Sequence, residues 1–245
     1  MISKNPDIKI FSSAEEAAES LAEDFFRMSE DYLHNKKNFY VALSGGNTPQ
    51  IFFNKLVEKY KEKIKWENIC FFWTDERCVQ PTDSDSNYRM TKQYLFDKIQ
   101  IPSKNIYRIQ GENNPLKEAE RYSSVIKNII PERNNLPSFD LTMLGMGSDG
   151  HTASIFPDQL RLIKSEKICE TAIHPQAFQK RITLTGTIIN NSSRIVFFVI
   201  GKNKSKIVSD ILNNSQNSNS FPAAYIKPIN GKLNWYLDKD AALNL

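Results

Sequence analysis

The chain has 245 residues, enough for one sizeable core, and its 40% apolar and 24% charged residues match a folded globular protein and exclude a disordered one. No apolar run approaches the roughly 20 residues needed to span a bilayer, and Met1 to Phe11 lack the apolar stretch of a secretory signal, so the sequence points to the cytoplasm and away from a membrane. The net charge of +4 is scattered without a Lys/Arg block, which argues against a nucleic-acid partner and suits a small anionic substrate.

The first predicted element is a helix. Ser12 and Glu15, and again Ser13 and Glu16, have capping-box spacing, and Ala17, Leu21, Phe25 and Met28 follow at helical intervals. His34 falls near its end, where a histidine complements the helix dipole. The first strand is expected at Phe39 to Leu43. A helix from Pro49 to about Tyr60 comes next, with Thr48 as its N-cap and Pro49 in the first helical position. Ile69 to Trp73 form another apolar run, succeeded by a polar loop. Tyr88 to Lys98 read as helix, Asn105 to Ile109 as a short strand, Leu116 to Ile130 as a helix stopped by Pro131, and Phe139 to Leu144 as a strand. Arg181 to Leu184 and Ile195 to Ile200 read as strands, Lys204 to Leu212 as a helix, Asn213 to Ser220 as a surface loop and Leu233 to Leu237 as the last strand. Short apolar strands alternating with helices are those of a sheet buried on both faces. The expected class is therefore α/β with a mostly parallel sheet flanked by helices. It is read as one domain over residues 1–245, with room for a small added lobe around residues 160 to 185.

In such a sheet, ligands bind beyond the carboxyl ends of the strands. After Phe39 to Leu43 come Ser44, Gly45, Gly46, Asn47 and Thr48. Their glycines allow close backbone approach, and the adjoining helix start suits a phosphate. Taken alone, this loop fits a plain strand-to-helix turn equally well. After Ile69 to Trp73 come Asp75 and Arg77. Arg77 can clamp a phosphate or carboxylate with two parallel hydrogen bonds, while Asp75 can accept from sugar hydroxyls or hold Arg77. After Phe139 to Leu144 comes the run from Gly145 to Thr152, whose His151 is the best general base in the chain. That run is not a dinucleotide fingerprint, because Pro157 cuts the segment after it too soon to leave much helix. After Ile195 to Ile200 come Lys202 and Lys204, at a helix start where lysine opposes the dipole, a small cost that makes sense if one of them faces an anion. Lys204 reads as the more exposed of the two. Together the four loops read as a phosphate site with one histidine base.

The three cysteines, Cys70, Cys78 and Cys169, form no C-x-x-C pair and read as reduced thiols, with Cys70 in the core and Cys78 not a nucleophile. The three histidines, His34, His151 and His174, have no metal-ligand spacing, so no metal is expected, and His174 reads as a loop residue.

The residues quoted also carry a resemblance. S-G-G-N-T-P, T-D-E-R-C-V with a later Ser86-Asn87, the stretch Leu144 to Pro157, R-I-T-L-T, Gly201-Lys202 and W-Y-L-D-K-D-A-A resemble the 6-phosphogluconolactonase family from about residue 38 onward. The resemblance implies a Rossmann-like fold and hydrolysis of 6-phospho-D-glucono-1,5-lactone to 6-phosphogluconate, the second step of the oxidative pentose phosphate pathway. No cofactor is implied, the substrate is a phosphorylated sugar lactone, and the chain is expected to be a monomer or a weak dimer. His151 matches the family's base, and Ser44 to Thr48 with Arg77 match its phosphate-binding groups. Arg181 and Lys202 match further anion contacts. The segment His174 to Lys180 departs from the family's usual Lys-Pro-Pro before R-I-T. In the expected chemistry His151 takes a proton from the attacking water, Asp149 orients the imidazole, and backbone N–H groups of the glycine loops meet the oxyanion.

Two alternatives share the fold. A glucosamine-6-phosphate deaminase or isomerase would continue the Asp-Gly-His run into a Glu-bearing segment, where Thr152 to Pro157 carry no carboxylate. A sugar-phosphate-sensing module would carry a DNA-binding segment ahead of the sensor, where the residues before Phe39 read as one acidic helix.

Overall fold

The structure, a computed structural model, describes residues 5–35 and 38–245; Met1 to Lys4, the start of the stretch read for a secretory signal, lie outside the described residues. In chain order the elements are β1 (Asp7–Phe11), α1 (Ala14–Asn35), β2 (Phe39–Leu43), α2 (Thr48–Tyr60), β3 (Ile69–Trp73), β4 (Asp75–Arg77), α3 (Asn87–Tyr94), α4 (Pro115–Ile129), β5 (Glu132–Arg133), β6 (Leu136–Pro137), β7 (Leu141–Leu144), β8 (Cys169–Ile173), β9 (Lys180–Leu184), α5 (Gly186–Asn190), β10 (Arg194–Val199), α6 (Ser205–Leu212) and β11 (Lys232–Asp238).

Six strands form one sheet in the order β1-β11-β10-β7-β2-β3, and every pairing in it is parallel. Its central strands are apolar throughout because helices cover both faces: all of Ile69–Trp73 and all of Leu141–Leu144 are buried. Tyr122 of α4, wholly buried, ties the end of β3 to this helix: its hydroxyl accepts from the Trp73 amide at 2.8 Å and donates to the Trp73 carbonyl at 3.2 Å. The polar segment beginning at Thr74 therefore leaves the sheet from a fixed point.

A second, antiparallel sheet runs β4-β9-β8. It occupies the region expected to carry an added lobe, but its third strand, Asp75–Arg77, comes from a segment read as loop. A strand of three residues has no alternation to read, and β4 exists because β9 pairs with it.

Three further expectations are corrected. A strand, β1, precedes the first helix. It is an edge strand with Ile8 40% and Ile10 53% exposed, so it lacks the buried apolar run that marks the inner strands. Asn105 to Ile109 make only one bridge, Ile106 to Phe71, because Ser103–Asn105 turn as a 3-10 helix. Thr48 does not cap α2. It is the first helical residue, Asn47 stands at the cap, and no side chain closes the helix start.

At α1 the cap is Ser13, whose hydroxyl accepts from the Glu16 amide at 3.2 Å, while the Glu16 carboxylate accepts from the Ser12 amide at 3.1 Å. Burial pushes the free thiols of Cys70 and Cys78 up to about 11 and that of Cys169 to about 12, so none is an activated nucleophile at neutral pH. No helix among the described residues is long and apolar enough to cross a membrane.

Candidate active site

β2 and β7 are neighbours, yet the chain leaves them in opposite directions. β2 leads through α2 to β3 on one side, and β7 leads on to β10 on the other. A crevice opens at the carboxyl ends of strands that diverge in this way. A cavity of about 350 Å³ lies there, lined by the loops after β2 and β7, by β4 and β9 of the second sheet, and by the start of α6.

The loop after β2 contributes Ser44, Gly45, Gly46, Asn47 and Thr48, all of which line the cavity. Asn87, buried at the start of α3, lies against the backbone of Gly45. A Cβ on Gly45 would stand 1.8 Å from its Oδ1, so only glycine fits there. The uncapped start of α2 leaves amide donors and the positive end of its dipole toward the loop.

The second sheet supplies the positive charge. Arg77 and Arg181 are cross-strand partners in the register of β4 with β9. Like charges placed directly opposite one another are unfavourable. Both Nε atoms are buried without a hydrogen-bond partner, although Arg77 donates through Nη1 to the Asp85 carbonyl at 2.6 Å. Burial, and then the charge of Arg77, lowers the pKa of Arg181. Both arginines line the cavity, and so does Asp75 between them and the β7 loop. The Asp75 carboxylate accepts from Ser154 Oγ at 2.6 Å, and its carbonyl accepts from Asn87 Nδ2 at 2.9 Å.

Glu76, which is outside the cavity, holds this corner together. Its carboxylate accepts from the amides of Arg77, Asn87 and Tyr88 at 2.8 Å each and from Ser86 Oγ at 3.0 Å. Burial pushes its carboxyl up, against the pull of those amides.

The loop after β7 presents His151. Its Nδ1 stands 2.6 Å from Asp149 Oδ1, and its amide donates to the same oxygen at 3.1 Å. Burial works to raise the Asp149 pKa, but the hydrogen bond and charge of His151 outweigh it and hold the carboxyl at about 2. Asp149 is therefore ionised and accepts only, which places the His151 proton on Nδ1 and leaves Nε2 as the basic nitrogen. The loop closes through Gly147 N–H to the His151 carbonyl at 2.9 Å and Thr152 Oγ1 to the Gly145 carbonyl at 2.9 Å. The ring of Phe156 packs against the imidazole at 4.9 Å between centroids.

The loop after β10 places its lysines differently from expectation. Lys204 lines the cavity, and Lys202 is exposed and does not. The cause is the 3-10 turn Lys202–Lys204. With three residues per turn, positions two apart point to different sides. Burial lowers the Lys204 pKa, and Asp149 partly offsets this. The structure thus brings together Ser44 to Thr48, Asp75, Arg77, His151 and Arg181, with Asp149 behind the imidazole. It adds Lys204, Asn87, Ser154 and His174. Asn87 and Ser154 carried a signal in the Ser86-Asn87 and Leu144 to Pro157 motifs, whereas His174 carried none.

The family model of glucosamine-6-phosphate isomerases/6-phosphogluconolactonase matches residues 12–235. A 6-phosphogluconolactonase of Aggregatibacter actinomycetemcomitans is 40% identical over 95% of this chain and 97% of its own. Among solved structures, the devB protein superposes with a TM-score of 0.91 at 39% identity, over 98% of this chain and 99% of that one. The 6-phosphogluconolactonase of Thermotoga maritima does so with a TM-score of 0.84 at 29% identity, over 96% of this chain and 100% of that one.

Proposed function

The chain belongs to the family of glucosamine-6-phosphate isomerases and 6-phosphogluconolactonases, and from that membership and the geometry of the cavity we infer that it hydrolyses 6-phospho-D-glucono-1,5-lactone to 6-phosphogluconate. The observation that carries the reading is the pair Arg77 and Arg181, forced side by side by the register of β4 with β9, in one cavity with a histidine whose basic nitrogen is free. Two cationic groups that repel one another call for a dianion between them, and a sugar phosphate brings one. Lys204 and the uncapped start of α2 add to the same positive field.

With the phosphate held at that end, the lactone carbonyl is placed for attack at the His151 end. His151 Nε2 takes a proton from water as the water oxygen adds to the carbonyl carbon. The carbonyl electrons move onto oxygen, then return as the ring C–O bond breaks, and the leaving ring oxygen takes up the proton. Asp149, ionised throughout, stabilises the imidazolium formed in between. Binding energy from the remote phosphate is used to orient the reacting carbon.

Gly147 tests how closely the base is held. A Cβ there would stand 2.1 Å from His151 Nδ1 and 2.5 Å from Asp149 Oδ1. Gly147→Ala is expected to lower kcat by about 10²-fold through displaced imidazole geometry, with far-ultraviolet circular dichroism unchanged.

The reaction itself is tested with lactone generated in situ and coupled to 6-phosphogluconate dehydrogenase, spontaneous hydrolysis being subtracted, while ammonia release from glucosamine 6-phosphate is followed in parallel. Lactone turnover without ammonia is the expected result. Ammonia without lactone turnover would overturn the assignment.

A further inference from the structure

His174 stands just after β8 and opens the turn that leads into β9, and it lines the same cavity as His151. Its ring is turned onto its own backbone: Nδ1 accepts from the amide of Gln176 at 3.2 Å and of Ala177 at 3.1 Å. A nitrogen that accepts two N–H bonds carries no proton, so the neutral ring holds its proton on Nε2. The turn is fixed further by His174 N–H to the Gln179 carbonyl at 3.0 Å and Phe178 N–H to the His174 carbonyl at 2.9 Å. Phe156 fixes the ring plane. It packs edge-on against His174 at 5.1 Å and at a tilt against His151 at 4.9 Å, so one phenyl ring touches both imidazoles.

We propose that His174 is a substrate-positioning residue, a neutral donor whose Nε2–H bonds a hydroxyl of the bound sugar lactone between the phosphate and the reacting carbonyl; this rests on the lactonase reading. The assignment comes from the place and form of the ring. His174 lines the cavity together with Arg181 and Arg77 at the anion end and with His151 at the base end, and Phe156 packs against both imidazoles. Protonating Nδ1 would cost both turn hydrogen bonds, so His174 does not compete with His151 for the water proton. Burial, and then the charge of Arg181, also lowers its pKa. The two imidazoles are thereby set to opposite tautomers by their neighbours. An anionic carboxylate puts the His151 proton on Nδ1 and frees Nε2 to accept, while two amides take Nδ1 of His174 and leave Nε2–H to donate.

Two amide side chains separate this role from turn-building. In His174→Asn the amide oxygen stands where Nδ1 stands and keeps the turn, but nothing reaches the substrate. In His174→Gln the amide nitrogen reaches as far as Nε2. The expected result is a KM for the lactone raised about 3- to 10-fold in His174→Asn and His174→Ala, with kcat within about twofold and with most of the loss restored in His174→Gln. In ¹⁵N-labelled wild-type protein, His174 is expected to show the Nε2–H tautomer, and that nitrogen's signal should shift on adding 6-phosphogluconate. Wild-type KM in His174→Asn, or a His174 signal unmoved by 6-phosphogluconate while other cavity signals shift, would overturn the proposal alone. Wild-type protein that neither turns over the lactone nor binds 6-phosphogluconate would overturn the lactonase reading and this proposal with it.

Discussion

His151→Ala is expected to lower kcat for the lactone by about 10²–10⁴-fold, the range that a positioned general base supplies, while KM stays near the wild-type value. The separation comes from the layout of the cavity. The groups proposed to hold the phosphate are Arg77, Arg181, Lys204 and the Ser44 to Thr48 loop, none of which hydrogen-bonds the imidazole. Removing the ring therefore removes a group that acts as the transition state forms and leaves ground-state binding in place. Asp149→Asn is expected to lose part of the same activity. An amide can donate to Nδ1, which would move the ring proton to Nε2 and block its use as a base. Coupled turnover with spontaneous hydrolysis subtracted measures both variants. A His151→Ala protein with wild-type kcat would show that the base lies elsewhere in the cavity.

Arg181→Met is expected to act on the opposite parameter. A charge-assisted hydrogen bond is worth about 1.5–3 kcal/mol, so losing this guanidinium should raise KM about 10- to 100-fold with a smaller change in kcat. Methionine keeps the apolar stem packed, which isolates the charge from the packing. The stability of the free protein should move the other way. Arg181 is 8% exposed, sits opposite Arg77 in the strand register and has an unpartnered Nε, so its replacement relieves a repulsion in the unliganded state. Thermal melts should show a free-protein Tm unchanged or higher, together with a smaller rise on adding 6-phosphogluconate than in the wild type. An unchanged KM would place the anion away from the arginine pair.

Lys202 and Lys204 show how far local sequence reaches. Both stand at a strand end before a helix, and nothing in the order of residues distinguishes which one faces the ligand. The 3-10 turn at Lys202–Lys204 turns Lys204 inward. His174 is a similar case. As a loop residue it has no special signal, and its place beside His151 arises from Phe156 packing against both rings. β1 was not legible because an edge strand with exposed isoleucines lacks the continuous apolar run of β2, β3 and β10. By contrast, α4 was read to within a residue or two. Its start is Asn114, whose side chain accepts from two amides of the first turn, with Pro115 next, and Pro131 stops it. Capping and chain breaking of this kind act over a few residues.

Residue order alone carries the alternation of apolar strands and helices, the glycine-bearing loops at the strand ends, and the Asp149–His151 pair, whose two members are close enough along the chain to meet within one turn. These are local properties, set by side-chain periodicity, glycine and proline. That Asp75–Arg77 is a strand, that Arg77 faces Arg181, that Ser154 bonds Asp75, and that Lys204 and His174 line the cavity follows from contacts made in the folded chain. Each of these joins residues far apart in the chain. Pairings of that kind are selected by the burial and hydrogen bonding of the whole sheet arrangement, and they leave no periodic mark on the residues that make them.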